Sequence, residues 1–132
     1  MMNKVLRISY YIIKRLGCIH PYRISRILVL ANWKAIEDKG CPIVYFNVSG
    51  FEAGFSVDEL SKLKNDKCIR INKENRCMEY ICEDPEIDEY DKKIIDKVIE
   101  EVSGLSDIEL NRVVIRDRRY KELLSKGGFK PV

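Results

Sequence analysis

The sequence predicts a mixed α+β domain, mainly helical, with a winged-helix-like core and C-terminal helices. Three observations carry this reading. Apolar residues recur at helical spacing in three stretches, Val5 to Leu16, Ile24 to Ile36 and Ile94 to Val102. Between Ile69 and Tyr80 the pattern changes to alternation on both sides of a polar tip. Just ahead of that alternation stands a short stretch with a helix-start signature, Ser56 followed three residues later by Glu59.

Taken in order, Lys4 to Leu16 predicts a helix, with Val5, Ile8, Ile12 and Leu16 on one face and Gly17 as its stop. A second helix opens near Pro21, a residue suited to a first turn, and runs to Gly40. Ile24, Ile27, Leu28, Ala31, Ala35 and Ile36 share a face there. Leu30 and Trp33 widen it, so this helix is expected to be the most buried. CPIVYFNV predicts a short strand after a turn at Pro42, and SGFEAG a flexible connector. The Ser56/Glu59 pair predicts a capping box on a helix from Val57 to Asn65, with Val57, Leu60 and Leu63 inward.

CIRIN and RCMEYICED then predict a hairpin, giving a sheet of two or three strands. A turn at Glu74–Asn75 places Ile71 opposite Met78 and Ile69 opposite Tyr80, so all four share a face. A slip by one residue would scatter them, which fixes the register. Lys73 and Arg76 sit at the tip. An acidic loop, EDPEIDEYDKK, leads to a helix with the stripe Ile87, Ile94, Ile95, Val98 and Val102, ended by Gly104. Ser106 and Glu109 form a second capping box, opening a helix that carries Ile108, Leu110, Val113 and Val114. A last helix is expected around Arg118 to Ser125, then a frayed tail. The whole reads as one domain: residues 1–86 with the winged-helix-like part, 87–125 as a helical cap, and 126–132 as tail.

Composition narrows the class. The chain has 132 residues, 45% apolar and 34% charged, enough apolar content to bury a core. No stretch approaches the ~20 apolar residues of a membrane span. Lys14 and Arg15 interrupt YYII near the start, which argues against a secretory leader, so a cytoplasmic location is expected. Five cysteines, an odd number, then predict reduced and partly buried thiols. Cys77 and Cys82, on one predicted strand, point to opposite faces and make a poor metal pair. The single histidine, His20, has no relay partner, and no phosphate loop or nucleophile motif occurs. No enzyme activity, cofactor or metal is expected.

The net charge of +3 conceals an asymmetry. Residues 1–50 carry eight basic and two acidic side chains, residues 51–102 nine and fifteen, and residues 103–132 seven and four. Basic ends and an acidic middle predict charged contacts, internal or with a partner. Two functional readings follow. In one, the chain binds a partner protein through a basic patch, Arg112, Arg116, Arg118 and Arg119. In the other it is a winged-helix DNA-binding regulator, with Lys62, Lys64, Lys67, Lys73 and Arg76 as candidate phosphate contacts. Asp58 and Glu59 weigh against the second, because they occupy the end of the would-be recognition helix that reads bases.

The order of elements and three segments resemble the Panacea or SocA-like domain of prophage-associated proteins and antitoxins. These are RISRILVLANWKAIEDKGCPI, GFSVDELSKLKNDKCIRI and DKKIIDKVIEEVSGLSDIELNRVV, and the likeness covers Ile8 to Lys121. The chain departs from the family pattern at Phe55, where proline usually follows glycine, and in VVIRD, which has no histidine. What the resemblance implies is a non-enzymatic module that binds a toxin or client protein, or presents one protein to another machine.

Overall fold

A computed structural model describes residues 3–131. Helix α1 (Lys4–Leu16) starts where the Asn3 side chain accepts the Val5 N–H, and Gly17 ends it at φ 87°. Strand β1 (Cys18–Ile19) links it to α2 (Pro21–Lys39). His20 has a local duty: its Nδ1 accepts the Tyr22 N–H and caps α2, with Pro21 in the first turn. Helix α2 runs through the middle of the molecule and buries Ile24, Ile27, Leu28, Ala31, Trp33 and Ala35, as expected. Ile36, expected on the same face, is exposed near the end of the helix.

The segment after α2 differs from expectation. Residues 42–45 form no strand; Asn32 instead pins them, accepting from the Ile43 and Val44 N–H groups and donating to the Val44 carbonyl. Strand β2 (Phe46–Phe51) turns back at once into β3 (Gly54–Val57), with Val48 opposite Val57 and Phe51 opposite Gly54. SGFEAG is therefore the tip of a hairpin, not a free connector. Glycine is required at position 50, where a Cβ would lie 2.4 Å from the Gly54 carbonyl oxygen.

The second correction concerns the capping box at Ser56. Ser56 belongs to β3, and the helix that follows, Asp58–Asn65, is of the 3-10 type with no side-chain cap. Val57, Leu60 and Leu63 are spaced by three, and a helix with three residues per turn stacks them on one buried face. The acidic pair at its start braces β2. Glu59 accepts from the Asn47 backbone and side chain, and Asp58 from Ser49.

Strands β4 (Ile69–Asn72) and β5 (Cys77–Tyr80) pair in the predicted register, Ile69 with Tyr80 and Ile71 with Met78. Strand β1 adds to the other side of β5, giving the order β1-β5-β4. Ile69 and Met78 are buried, whereas Ile71, nearer the tip, is 46% exposed. Helix α3 (Glu89–Val102) buries Ile94, Ile95, Val98, Ile99 and Val102 and packs on α2. Ser106 and Glu109 form the predicted capping box at α4 (Asp107–Ile115). Leu110 and Val114 of α4 turn inward, whereas Ile108 and Val113 on the same helix are exposed. Helix α5 (Tyr120–Lys126) follows. The predicted frayed tail is instead tied down: β6 (Gly128–Phe129) pairs with Phe46 and Asn47, completing a second sheet, β3-β2-β6. The fold is thus α+β, helix-rich, with two small antiparallel sheets around one buried core. Among the described residues no helix is long and apolar enough to cross a membrane.

The cysteines depart most from the expectation of reduced thiols. Cys18 is bonded to Cys77 and Cys68 to Cys82, with Cα separations of 5.3 and 5.1 Å; Cys41 alone is free. Sequence spacing missed this because each bond joins different elements, and β1 is too short to be recognised as a strand. Both bonds staple the same sheet, one tying β1 to β5 and the other closing the base of the β4–β5 hairpin.

Candidate interaction surface

Much of the charge asymmetry resolves inside the molecule. Lys4 pairs with Asp91, Lys14 with Asp84, Arg15 with Asp96 and Lys34 with Glu101, so basic N-terminal helices lie against the acidic middle segment. Arg23 bridges to Asp107 at 2.9 Å and to the Val102 carbonyl. Tyr11 donates to the Asp96 carboxylate at 2.7 Å, and Arg15 contacts the same oxygen. Burial, then Asp96, pushes the Tyr11 phenol up to about 12.

That shift has a definite sign. The folded state holds the Tyr11 proton more tightly than the unfolded chain, whose phenols titrate near ~10. The stabilisation is full below pH ~10 and is lost as pH rises through the folded value. Unfolding free energy should therefore fall between about pH 10 and 12, and Tyr11→Phe should flatten that fall. An unchanged alkaline slope in the variant would remove Tyr11 as its source.

Among the cations left without an ion pair, two places bear on the candidate sites. The first is the candidate basic patch. Arg112, Arg116 and Arg118 are exposed, and among the described residues none has a carboxylate within ion-pair distance. Arg119 departs from the predicted patch. It is half-buried, lies over the Trp33 ring at 4.8 Å, and bonds Asp117 and Glu37 at 2.8 Å each. Its hydrogen bond holds the Asp117 carboxyl below the usual carboxylate range. Three arginines of the four are therefore available to a partner, and the fourth fixes the turn between α4 and α5.

Two exposed residues of α4 are apolar. Ile108 is 67% exposed and Val113 47%. The β2–β3 turn is docked on α4 and α5, because Asn111 donates to the Ala53 carbonyl and Tyr120 to the Phe51 carbonyl. This docking leaves the Phe51 side chain 79% exposed. The sequence names the arginines from their clustering but not Phe51, which it places in a connector, nor Ile108 and Val113, which it places on the capped helix without separating them from Leu110 and Val114.

The second place is the group of candidate nucleic-acid contacts. Lys62 and Lys64 project from the 3-10 helix, Lys67 from the turn after it, and Lys73 and Arg76 from the hairpin tip. All five are exposed and none is ion-paired among the described residues. They lie on separate elements, and the 3-10 helix that carries two of them is spent on bracing β2. No cluster of three His, Cys, Asp or Glu side chains suited to a metal occurs among the described residues. No family model, curated protein or solved structure matches this chain.

Proposed function

We propose that the protein is a non-enzymatic interaction module, of the antitoxin or adaptor type that the Panacea/SocA-like resemblance implies. It binds an acidic partner protein, a toxin or a client, through α4 and the β2–β3 turn. One observation carries the reading: two large exposed apolar side chains, Phe51 on the β2–β3 turn and Ile108 one helical turn before the Asn111 that holds that turn, accompany exposed arginines with no carboxylate within ion-pair distance. Lone exposed apolar residues are ordinary, but arginine and aromatic side chains together are what partner-binding surfaces are rich in. The cytoplasmic location belongs to the same reading. Paired cysteines are the exception in that compartment, so the redox state of Cys18, Cys68, Cys77 and Cys82 is a property to measure early.

The test is affinity capture from the host with the wild type and with Arg112→Glu/Arg116→Glu. A partner with an acidic surface should be retained by the wild type and reduced at least tenfold by the variant. Identical captures from both would end this reading.

A winged-helix DNA-binding regulator is the second reading. It is supported by the sheet order β1-β5-β4, with β1 between the first two helices as in winged helices, and by the unpaired Lys73 and Arg76 at the hairpin tip. A mobility shift at low salt that Lys73→Glu/Arg76→Glu abolishes would favour it over the first.

A further inference from the structure

Among the described residues, two buried side-chain atoms have no hydrogen-bond partner: the Arg7 Nε–H and one carboxylate oxygen, Oδ2, of Asp91. Both side chains line the same recess, of about 270 Å³, between the first two turns of α1 and the segment that leads into α3. A buried donor or acceptor without a partner costs free energy, and native folds hold few of them. Two of opposite kind in one recess call for an occupant that accepts from the first and donates to the second.

The charges around the recess are of both signs and mostly unpaired. Asp91 is 2% exposed. The Lys4 ammonium stands 3.3 Å from its Oδ2 and offsets part of the charge, but Lys4 donates to the Ile43 carbonyl at 2.6 Å and makes no hydrogen bond to the carboxylate. Among the described residues Arg7 forms no ion pair, nor do Glu86 and Asp88 at the exposed rim. A guanidinium that needs an anion thus stands beside carboxylates that need a cation. Ile8, 1% exposed, and the half-buried Ile87 supply an apolar wall.

We propose that this recess binds a free amino acid with an aliphatic side chain. Its carboxylate accepts from the Arg7 Nε–H, its ammonium donates to Asp91 Oδ2, and its side chain packs on Ile8 and Ile87. Bonds between charged groups are the strong ones, and here both are made away from water. Glu86 and Asp88 favour entry of the ammonium end. The volume lies just below the ~300–1,000 Å³ of ligand pockets, which suits one amino acid and not a nucleotide or a large cofactor. None of these residues belongs to α4 or the β2–β3 turn, so this site and the partner-binding reading stand or fall separately.

The probes are L-leucine and two analogues, 4-methylpentanoate, which lacks the amine, and L-leucinamide, which lacks the carboxylate. The measurement is the amide spectrum of the nitrogen-15-labelled chain. Millimolar leucine should shift the amides of Arg7, Ile8, Ile87 and Asp91 and leave those of α4 in place. Each analogue should bind at least tenfold more weakly. Arg7→Gln and Asp91→Asn should each weaken leucine binding at least tenfold while the rest of the spectrum stays that of the wild type. Should either variant fail to fold, the three ligands on the wild type decide the matter.

No shift with any of the three would mean that solvent alone fills the recess, and the proposal would fall. Leucinamide binding as well as leucine would make this a site for an amine, and 4-methylpentanoate binding as well would make it a site for a carboxylate; either overturns the zwitterion. So would full leucine binding by a folded Arg7→Gln or Asp91→Asn.

Discussion

Replacing Cys18 with serine should lower the unfolding free energy by about 4 kcal/mol, because the bond to Cys77 spans 59 residues of chain. The Cys68–Cys82 bond spans 14 residues, so Cys82→Ser should cost about 3 kcal/mol. Both figures follow from the conformational freedom that a cross-link removes from the unfolded chain. They are large against the ~5–15 kcal/mol that holds a typical domain together. The location sharpens the expectation for Cys18. Strand β1 contributes only two residue pairs to its sheet, Cys18 with Glu79 and Ile19 with Met78. Such a strand has little hydrogen bonding of its own to hold it. The two bonds share one sheet and one unfolded ensemble, so their effects should not add. The measurement is urea denaturation with and without a dithiol reductant. Reductant should bring the wild type close to the double variant Cys18→Ser/Cys82→Ser and leave that variant where it was. Coincident midpoints for wild type and Cys18→Ser in non-reducing buffer would mean that the pairing does not exist in the folded protein.

The helices were legible because their signals are local. Helix α1, the ends of α2 and the capping box of α4 each rest on residues within one or two turns: a glycine stop, a proline start, a Ser–Glu pair. The β4–β5 register was legible for the same reason, since the alternation on its two sides admits one buried arrangement. What escaped depends on distant partners. Strand β6 is two residues long and exists only because Gly128 can approach β2; a Cβ there would lie 2.2 Å from the Phe46 carbonyl oxygen. Gly50 was read as flexibility, though its place in the β2–β3 hairpin is one of close approach. Ser56 and Glu59 had the right spacing for a cap, but Glu59 is engaged by Asn47, twelve residues earlier in the chain. The arginines of the candidate surface were found by clustering, yet the departure of Arg119 from the patch depends on Trp33 and Glu37, in α2. Ile108 and Val113 share the apolar character of Leu110 and Val114. Only the packing of α4 decides which of the two pairs faces water.

Arg26→Ala should destabilise the fold by about 4 kcal/mol, through the cavity it leaves and the acceptors it orphans. Arg26 is one of the eight basic residues of the first fifty, yet its side chain is 1% exposed. It sits between the Tyr22 and Phe55 rings, 3.8 and 4.0 Å from their centres. Its Nε and Nη2 donate to the Asn111 side chain, and its Nη1 to the Phe55 carbonyl and the Ser25 hydroxyl. Among the described residues no carboxylate forms an ion pair with it. Burial lowers its pKa, but a guanidinium remains charged at ordinary pH. The charge is therefore held by two aromatic faces and three neutral oxygens. Arg26→Lys should recover little of the loss. An ammonium has no planar fork to reach the acceptors on β3 and α4 together, and it does not stack. The same side chain joins α2 to β3 and α4, the elements that present Phe51 and the exposed arginines. Loss of Arg26 should thus loosen the partner surface from within, raising amide exchange at Phe55 and weakening partner capture although no residue of that surface has changed. Stability of Arg26→Lys equal to the wild type would show that burial alone holds this joint and that its hydrogen bonds contribute little.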